Sequence, residues 1–172
     1  QIVEFCRGAL EAGSTPVLMA YSLGKSQELL RGLTGTGLRV MLEKPSHKIT
    51  RIHEGLGQSF PAYELLDLAR AAGNVLIVSP QQGRAPWLRE IGPVRTAVAT
   101  GWAMDSSCRY RSGVDAAFPL SDHADFDELI EFVSMLRPRR VLTLHGFAAD
   151  FAATLRERGF DARAISEDEQ LT

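Results

Sequence analysis

Cysteine is scarce in this sequence. Cys6 and Cys108 stand far apart among 172 residues and in no metal-ligand spacing, so no cysteine-bound zinc motif is offered and a reduced, cytoplasmic setting is expected. Long apolar runs are absent as well. Nothing approaches the roughly 20 residues that cross a bilayer, and the longest candidates, Val75–Val78 and Val141–Leu144, are strand-sized. Positive charge is not in excess. The formal net charge of −2 lacks the electrostatic footprint of a nucleic-acid binder. A nucleic-acid substrate would have to be held by a local patch, by metal ions or by residues outside this chain. Neither GxGxxG nor a P-loop occurs, which argues against a nucleotide-binding α/β domain. There is no internal repeat, no low-complexity tract and no n-region or h-region of a signal peptide. The chain opens on Gln1 in mid-pattern, with Ile2, Val3, Phe5, Cys6, Ala9 and Leu10 on one helical face. That opening suggests a fragment of a longer protein, or a chain cut at a domain edge.

What is present is ordinary globular material, 45% apolar and 23% charged, enough for one large domain or parts of two. The opening helix stops at Gly13, and Pro16–Tyr21 reads as a buried strand. A glycine-containing turn at Ser22–Lys25 leads into a helix from Ser26 to about Leu33. Arg39–Leu42 is a second strand, and Lys44–Phe60 a short helix and loop. Pro61–Ala72 has the apolar spacing of a helix. Asn74–Ser79 is a strand, Pro86–Ile91 a short helix with proline suited to its first turn, and Val94–Thr100 a strand. Ser106–Ser112 reads as a linker or hairpin. Thereafter Ala116–Leu120, Arg140–Leu144 and Ala162–Ile165 are strands, and Phe126–Leu136 and Ala148–Arg158 helices. The acidic tail Ser166–Gln170 is expected to be solvated. Short strands apolar on both faces and separated by helices predict a doubly wound parallel sheet.

The chemistry gathers at two strand exits, Leu120-Ser121-Asp122-His123-Ala124-Asp125 and Leu142-Thr143-Leu144-His145-Gly146. Ligands of open α/β layers collect at the carboxyl ends of strands, and imidazole is both a metal ligand and a proton carrier near neutral pH. The plainer readings compete. A single histidine after a strand is commonly a partly exposed polar residue, Asp125 with Glu128 forms a capping box, and Gly146 relieves a tight turn. The residues alone support a metal or acid–base site and no more. His47 and His53 read as surface residues.

Resemblance sharpens this. SDHAD at Ser121–Asp125 resembles motif B of the β-CASP branch of the metallo-β-lactamase superfamily, and LHG at Leu144–Gly146 resembles motif C. YSLGKSQELL at Tyr21–Leu30 is similar to a strand–turn–helix segment of these nucleases, with lysine at position 25 where they more often carry arginine. ATGW at Ala99–Trp102 is similar to the strand that closes their inserted domain. The match runs over nearly the whole chain, taken as a C-terminal half, and is nearest to bacterial DNA ligase-associated exonucleases.

The resemblance implies an α/β chain: a β-CASP doubly wound parallel-sheet domain over 1–114, then the C-terminal part of a metallo-β-lactamase αββα sandwich over 115–172. It implies a metal-dependent phosphodiesterase, an exonuclease on DNA with a role in repair. The cofactor would be two zinc ions, with manganese as an alternative. His145 would be a metal ligand and His123 the general acid, with Asp122 as a supporting carboxylate or, equally, a helix-terminus residue. Ser22 and Lys25 would meet a substrate phosphate, although close strand–helix packing explains the glycine there equally well. Gln27 and Glu28 would tie the two domains together. DNA would be the partner, with a DNA ligase or helicase beside it. The family's HxHxDH metal signature and its motif A acid do not occur in this sequence, so most metal ligands are expected upstream of Gln1 and the segment alone is expected to be inactive. An RNA-processing nuclease and a catalytically inactive β-CASP scaffold remain as alternatives.

Overall fold

The computed structural model describes residues 1–165; the acidic tail expected to be solvated lies outside them. The chain divides into two compact units, Gln1–Asp122 and His123–Thr172, each taken by itself below.

The first unit is built on strands β1 (Thr15–Met19), β2 (Val40–Leu42), β3 (Tyr63–Leu65), β4 (Val75–Val78), β5 (Val94–Ala99) and β6 (Ala116–Phe118). They form one sheet in the order β3-β2-β4-β1-β5-β6, and every pairing is parallel. Side chains alternate across a strand, and the packing follows that alternation. Leu18, Leu42, Val75, Ile77 and Ala97 feed one core, while Val17, Met41, Leu76, Val78 and Val98 feed the other. Both faces are therefore covered, which explains why these strands read as continuous apolar runs rather than alternating ones.

Helices α1 (Ile2–Glu11) and α2 (Lys25–Gly32) supply the first core, through Cys6 and through Leu29 and Leu30. Two short 3-10 segments, Pro80–Arg84 and Pro86–Arg89, lead from β4 towards β5 on the other face, where Leu88 is buried. The connections leaving the adjacent strands β1 and β4 thus depart to opposite faces. Such a switch point opens a crevice at the carboxyl ends of the strands. Helix α3 (Lys44–Gly55) is bound to α2 by a buried polar seam. The Ser26 and Ser46 hydroxyls lie 3.1 Å apart, and the Gln27 amide donates to the Thr50 hydroxyl at 2.9 Å. Gln27 therefore joins two helices within this unit, and Glu28 is exposed.

Two expected elements differ. Pro61–Ala72 is not a helix: it holds β3 and a 3-10 turn at Leu68–Arg70. Asp67 stops any helix there, its side chain accepting from the Ala69 backbone N–H at 3.0 Å, the turn-forming bond that aspartate offers in competition with helix. The expected linker at Ser106–Ser112 contains a short helix, α4 (Cys108–Ser112), closed by Gly113 in the left-handed region; burial of Cys108 beneath it supplies the anchor. Strand β6 pairs with β5 and belongs to the first compact unit.

The second unit contains α5 (Phe126–Leu136), β7 (Val141–Thr143), α6 (Ala148–Glu157) and β8 (Ala162–Ala164). Strands β7 and β8 pair in parallel around a small core of Ile130, Val133, Ala152, Leu155 and Ala162. The capping box expected at Asp125 is present: its carboxylate accepts from the Glu128 backbone N–H at 2.9 Å, and the Glu128 carboxylate accepts from the Asp125 N–H at 2.8 Å.

Candidate active-site residues at the strand exits

Within the first unit the carboxyl ends of the sheet carry a dense set of polar contacts. β1 runs out through Tyr21, Ser22 and Leu23 to Gly24, which adopts φ +78 at the start of α2. That conformation favours glycine, and a Cβ there would displace the Asp122 carboxylate. Asp122 lies just past β6, and its carboxylate meets the Lys25 ammonium at 3.1 Å. The lysine side chain is 5% exposed and the aspartate side chain 26%. The same ammonium sits 5.1 Å from the Tyr21 ring centroid. Lys25 therefore serves first as the buried counter-ion of Asp122, and any contact it makes with a phosphate has to share that partner.

Glu43, at the end of β2, is a buried carboxylate that the sequence reading passed over. It accepts the Ser79 backbone N–H at 2.7 Å, the Ser79 hydroxyl at 3.2 Å and the Ser22 hydroxyl at 3.3 Å. It ties the exits of β1, β2 and β4 together, and it occupies the Ser22 hydroxyl. The signal was available as a carboxylate directly after a buried strand, where the carboxyl ends of an open sheet converge.

Further along the same edge, β5 leads into a 3-10 turn, Gly101–Met104, capped by the Thr100 hydroxyl. Trp102 is 77% exposed. Arg111 of α4 pairs with Asp105 at 2.7 Å. The Ser107 backbone N–H and hydroxyl, and then the Arg111 guanidinium, hold the Asp105 carboxyl below the ordinary carboxylate range.

In the second unit, His123 is exposed and opens the segment that Asp125 caps. His145 follows β7 and is exposed too. Its backbone is unusual: φ is +62, and Gly146 beside it has φ +54. Histidine tolerates the left-handed region better than most residues, but a non-glycine there is strained, and such strain concentrates at functional sites. Thr143, buried at the end of β7, donates its hydroxyl to the Ala148 carbonyl at 2.7 Å and fixes the turn that carries His145. His47 and His53 are partly buried in the first unit, stacked edge-on or tilted against Tyr63 and Phe60 respectively, which accounts for both without chemistry.

Metal binding was tested against this donor set. Zinc sites take three or four protein donors, and among the described residues no group of three or more His, Cys, Asp or Glu converges on one point. The described residues therefore do not make a zinc site by themselves. No helix among them is long and apolar enough to cross a membrane.

Comparison with known proteins bears on the stretch that holds both histidines. Residues 116–165 match the family described as Zn-dependent metallo-hydrolase RNA specificity domain. The chain is also 53% identical over 170 residues to a protein named "Probable DNA ligase" from Opitutus terrae, covering 99% of this chain and 17% of that protein. The chain thus spans about a sixth of the length of the curated relative it matches. Residues 116–165 are thus similar to a domain of that description, and the parallel α/β architecture is consistent with it.

Proposed function

We propose that this chain is part of a metal-dependent phosphodiesterase of the β-CASP kind that acts on DNA, as an exonuclease in repair. One observation carries the reading: the stretch that matches a zinc-dependent hydrolase family holds two histidines at strand exits. His123 directly follows Asp122, whose carboxylate Lys25 holds at 3.1 Å. His145 is itself held in the left-handed region. In this reading the His123 imidazolium donates a proton to the leaving oxygen, the ordinary general-acid role. Asp122 steadies the approach to it, while Ser22 and Lys25 flank the substrate phosphate. His145 gives one nitrogen to a metal ion, zinc by the family's description, whose remaining donors lie outside the described residues.

In the same reading the second unit is the returning part of a metallo-β-lactamase sandwich. It leaves Phe132, Met135, Leu136, Leu142 and Phe147 exposed, more apolar surface than a small unit closed on itself usually leaves. DNA is preferred as substrate because the relative of 53% identity is named a DNA ligase, and a ligase is accordingly the partner proposed. An RNA substrate is the second reading, favoured by the words "RNA specificity" in the family description.

The test is to purify the full-length protein, His123→Ala and His145→Ala, measure bound metal by elemental analysis, and assay DNA and RNA strands side by side. The expected result is metal-dependent DNA cleavage, with metal lost in His145→Ala and activity lost with metal retained in His123→Ala. Cleavage of RNA alone selects the second reading. A folded protein that binds no metal and cleaves neither strand would leave only an inactive scaffold.

A further inference from the structure

We infer that the groove at the carboxyl edge of the first unit's sheet is a docking site for unpaired nucleobases of single-stranded DNA, a refinement that rests on the nucleic-acid reading above. Two concavities of about 320 and 300 Å³ share Pro80, Val98 and Ser112 as walls and so run into one another. Tyr21 and Trp102 line the first, over a floor that includes Val98; the rings are 58% and 77% exposed. Two large aromatic side chains exposed at the mouth of one apolar concavity lack the packing that normally hides them.

The charge around the groove fits the backbone that would accompany a base. The chain as a whole is slightly acidic, yet the residues lining the two concavities include two arginines and no carboxylate. Arg111 lines the first concavity and Arg84 the second. Both are held in place beforehand: Arg111 by the Asp105 carboxylate at 2.7 Å, Arg84 by donating to the Ser112 carbonyl at 3.1 Å. Arg109 stacks on the exposed Tyr110 ring, 4.7 Å from its centroid. Aromatic platforms interleaved with arginine are how sequence-tolerant single-strand binders work, since every unpaired base has a π-face and a duplex hides it. The sequence reading found no overall basic signal because this patch is local.

The experiment uses intrinsic fluorescence of the full-length protein. Of the two tryptophans in this chain, Trp87 is partly buried and bonded to the Gln82 amide oxygen at 3.0 Å and Trp102 is exposed, so the part of the signal lost in Trp102→Phe reports on Trp102. A short oligothymidylate is expected to quench its emission, whereas a duplex of equal length does not. Trp102→Phe loses most of the quench but keeps affinity, because a stacking ring remains. Trp102→Ala and Tyr21→Ala each weaken single-strand affinity about tenfold, read by anisotropy of a labelled strand. Both side chains are exposed, so the fold should survive either change. The inference is overturned if Trp102→Ala binds the strand as wild type does, if duplex quenches equally, or if acrylamide cannot reach Trp102 in the free protein. DNA cleavage that persists while any of these holds leaves the nuclease reading standing. A wild-type protein that neither binds nor cleaves any strand overturns both.

Discussion

The Lys25–Asp122 pair makes an asymmetric prediction about stability. At 3.1 Å and an effective dielectric of about 20, the Coulomb attraction is about 5 kcal/mol. Desolvation of the ammonium takes back much of it, because that side chain is only 5% exposed. Removing the aspartate charge, in Asp122→Asn, leaves a buried cation with the Tyr21 ring and an amide oxygen for company, at a cost of about 3 kcal/mol. Removing the lysine charge, in Lys25→Met, leaves a carboxylate that is 26% exposed and can draw on water; that costs about 1–2 kcal/mol. Replacing both removes the desolvation burden along with the attraction. The double variant should therefore cost about 2 kcal/mol, well short of the sum, with the difference measuring the coupling. Urea titration followed by far-ultraviolet circular dichroism gives all four stabilities. Additive costs, or a larger loss for Lys25→Met than for Asp122→Asn, would refute the argument that the buried lysine is the member that depends on its partner.

Three further outcomes are expected. His145→Gly relieves the left-handed strain at φ +62 and should raise stability by about 1 kcal/mol while abolishing cleavage; a loss of stability would mean that the imidazole packs against something the strain argument omits. Asp125→Ala removes the capping box of α5 and should cost about 1 kcal/mol by urea titration. Burial pushes the Cys6 thiol up to about 12, so the folded state favours its protonated form. That contribution is full below the unfolded thiol's pKa of about 8.5 and is lost as pH rises from there towards 12. Ellman's reagent at pH 8 should accordingly reach Cys6 only on unfolding, and prompt labelling of the native chain at that position would contradict it.

The parallel sheet was legible because its strands are apolar on both faces. Val75–Val78, for example, sends alternate side chains into two separate cores, and no amphipathic reading fits such a run. Pro61–Ala72 misled because its apolar spacing, through Tyr63, Leu65, Leu66 and Leu68, suits a helix as well as a strand followed by a turn. The edge position of β3 beside β2 and the Asp67 side-chain bond decided it, and the pairing is tertiary. Ser106–Ser112 misled in the other direction, since its polarity hid the burial of Cys108. In the site, the two histidines and Asp125 were visible as strand-exit and helix-start residues. Glu43 was not, because its meaning depends on Ser22 and Ser79, distant in sequence and brought to it only by the order β2-β4-β1. The Trp102 groove was invisible for the same reason.

The ion pair and the left-handed turn bear on one question, which is how two exposed histidines can be held ready for chemistry. A solvent-facing imidazole has little packing to fix it, and the position of catalytic groups matters to fractions of an ångström. Covalent geometry supplies what packing does not. His123 lies one peptide, about 3.8 Å between Cα atoms, from a carboxylate clamped between Gly24 and Lys25. His145 lies between Thr143, whose hydroxyl is bonded across the turn at 2.7 Å, and a Gly146 that shares its left-handed conformation. In each case the constraint shown acts on a neighbouring residue: on the Asp122 carboxylate before His123, and across the turn that carries His145. Lys25→Met, which loses both the Asp122 partner and the proposed phosphate contact, should therefore lower kcat and raise KM while leaving metal content unchanged. A change confined to KM would leave Lys25 with the phosphate contact alone and refute its part in holding His123.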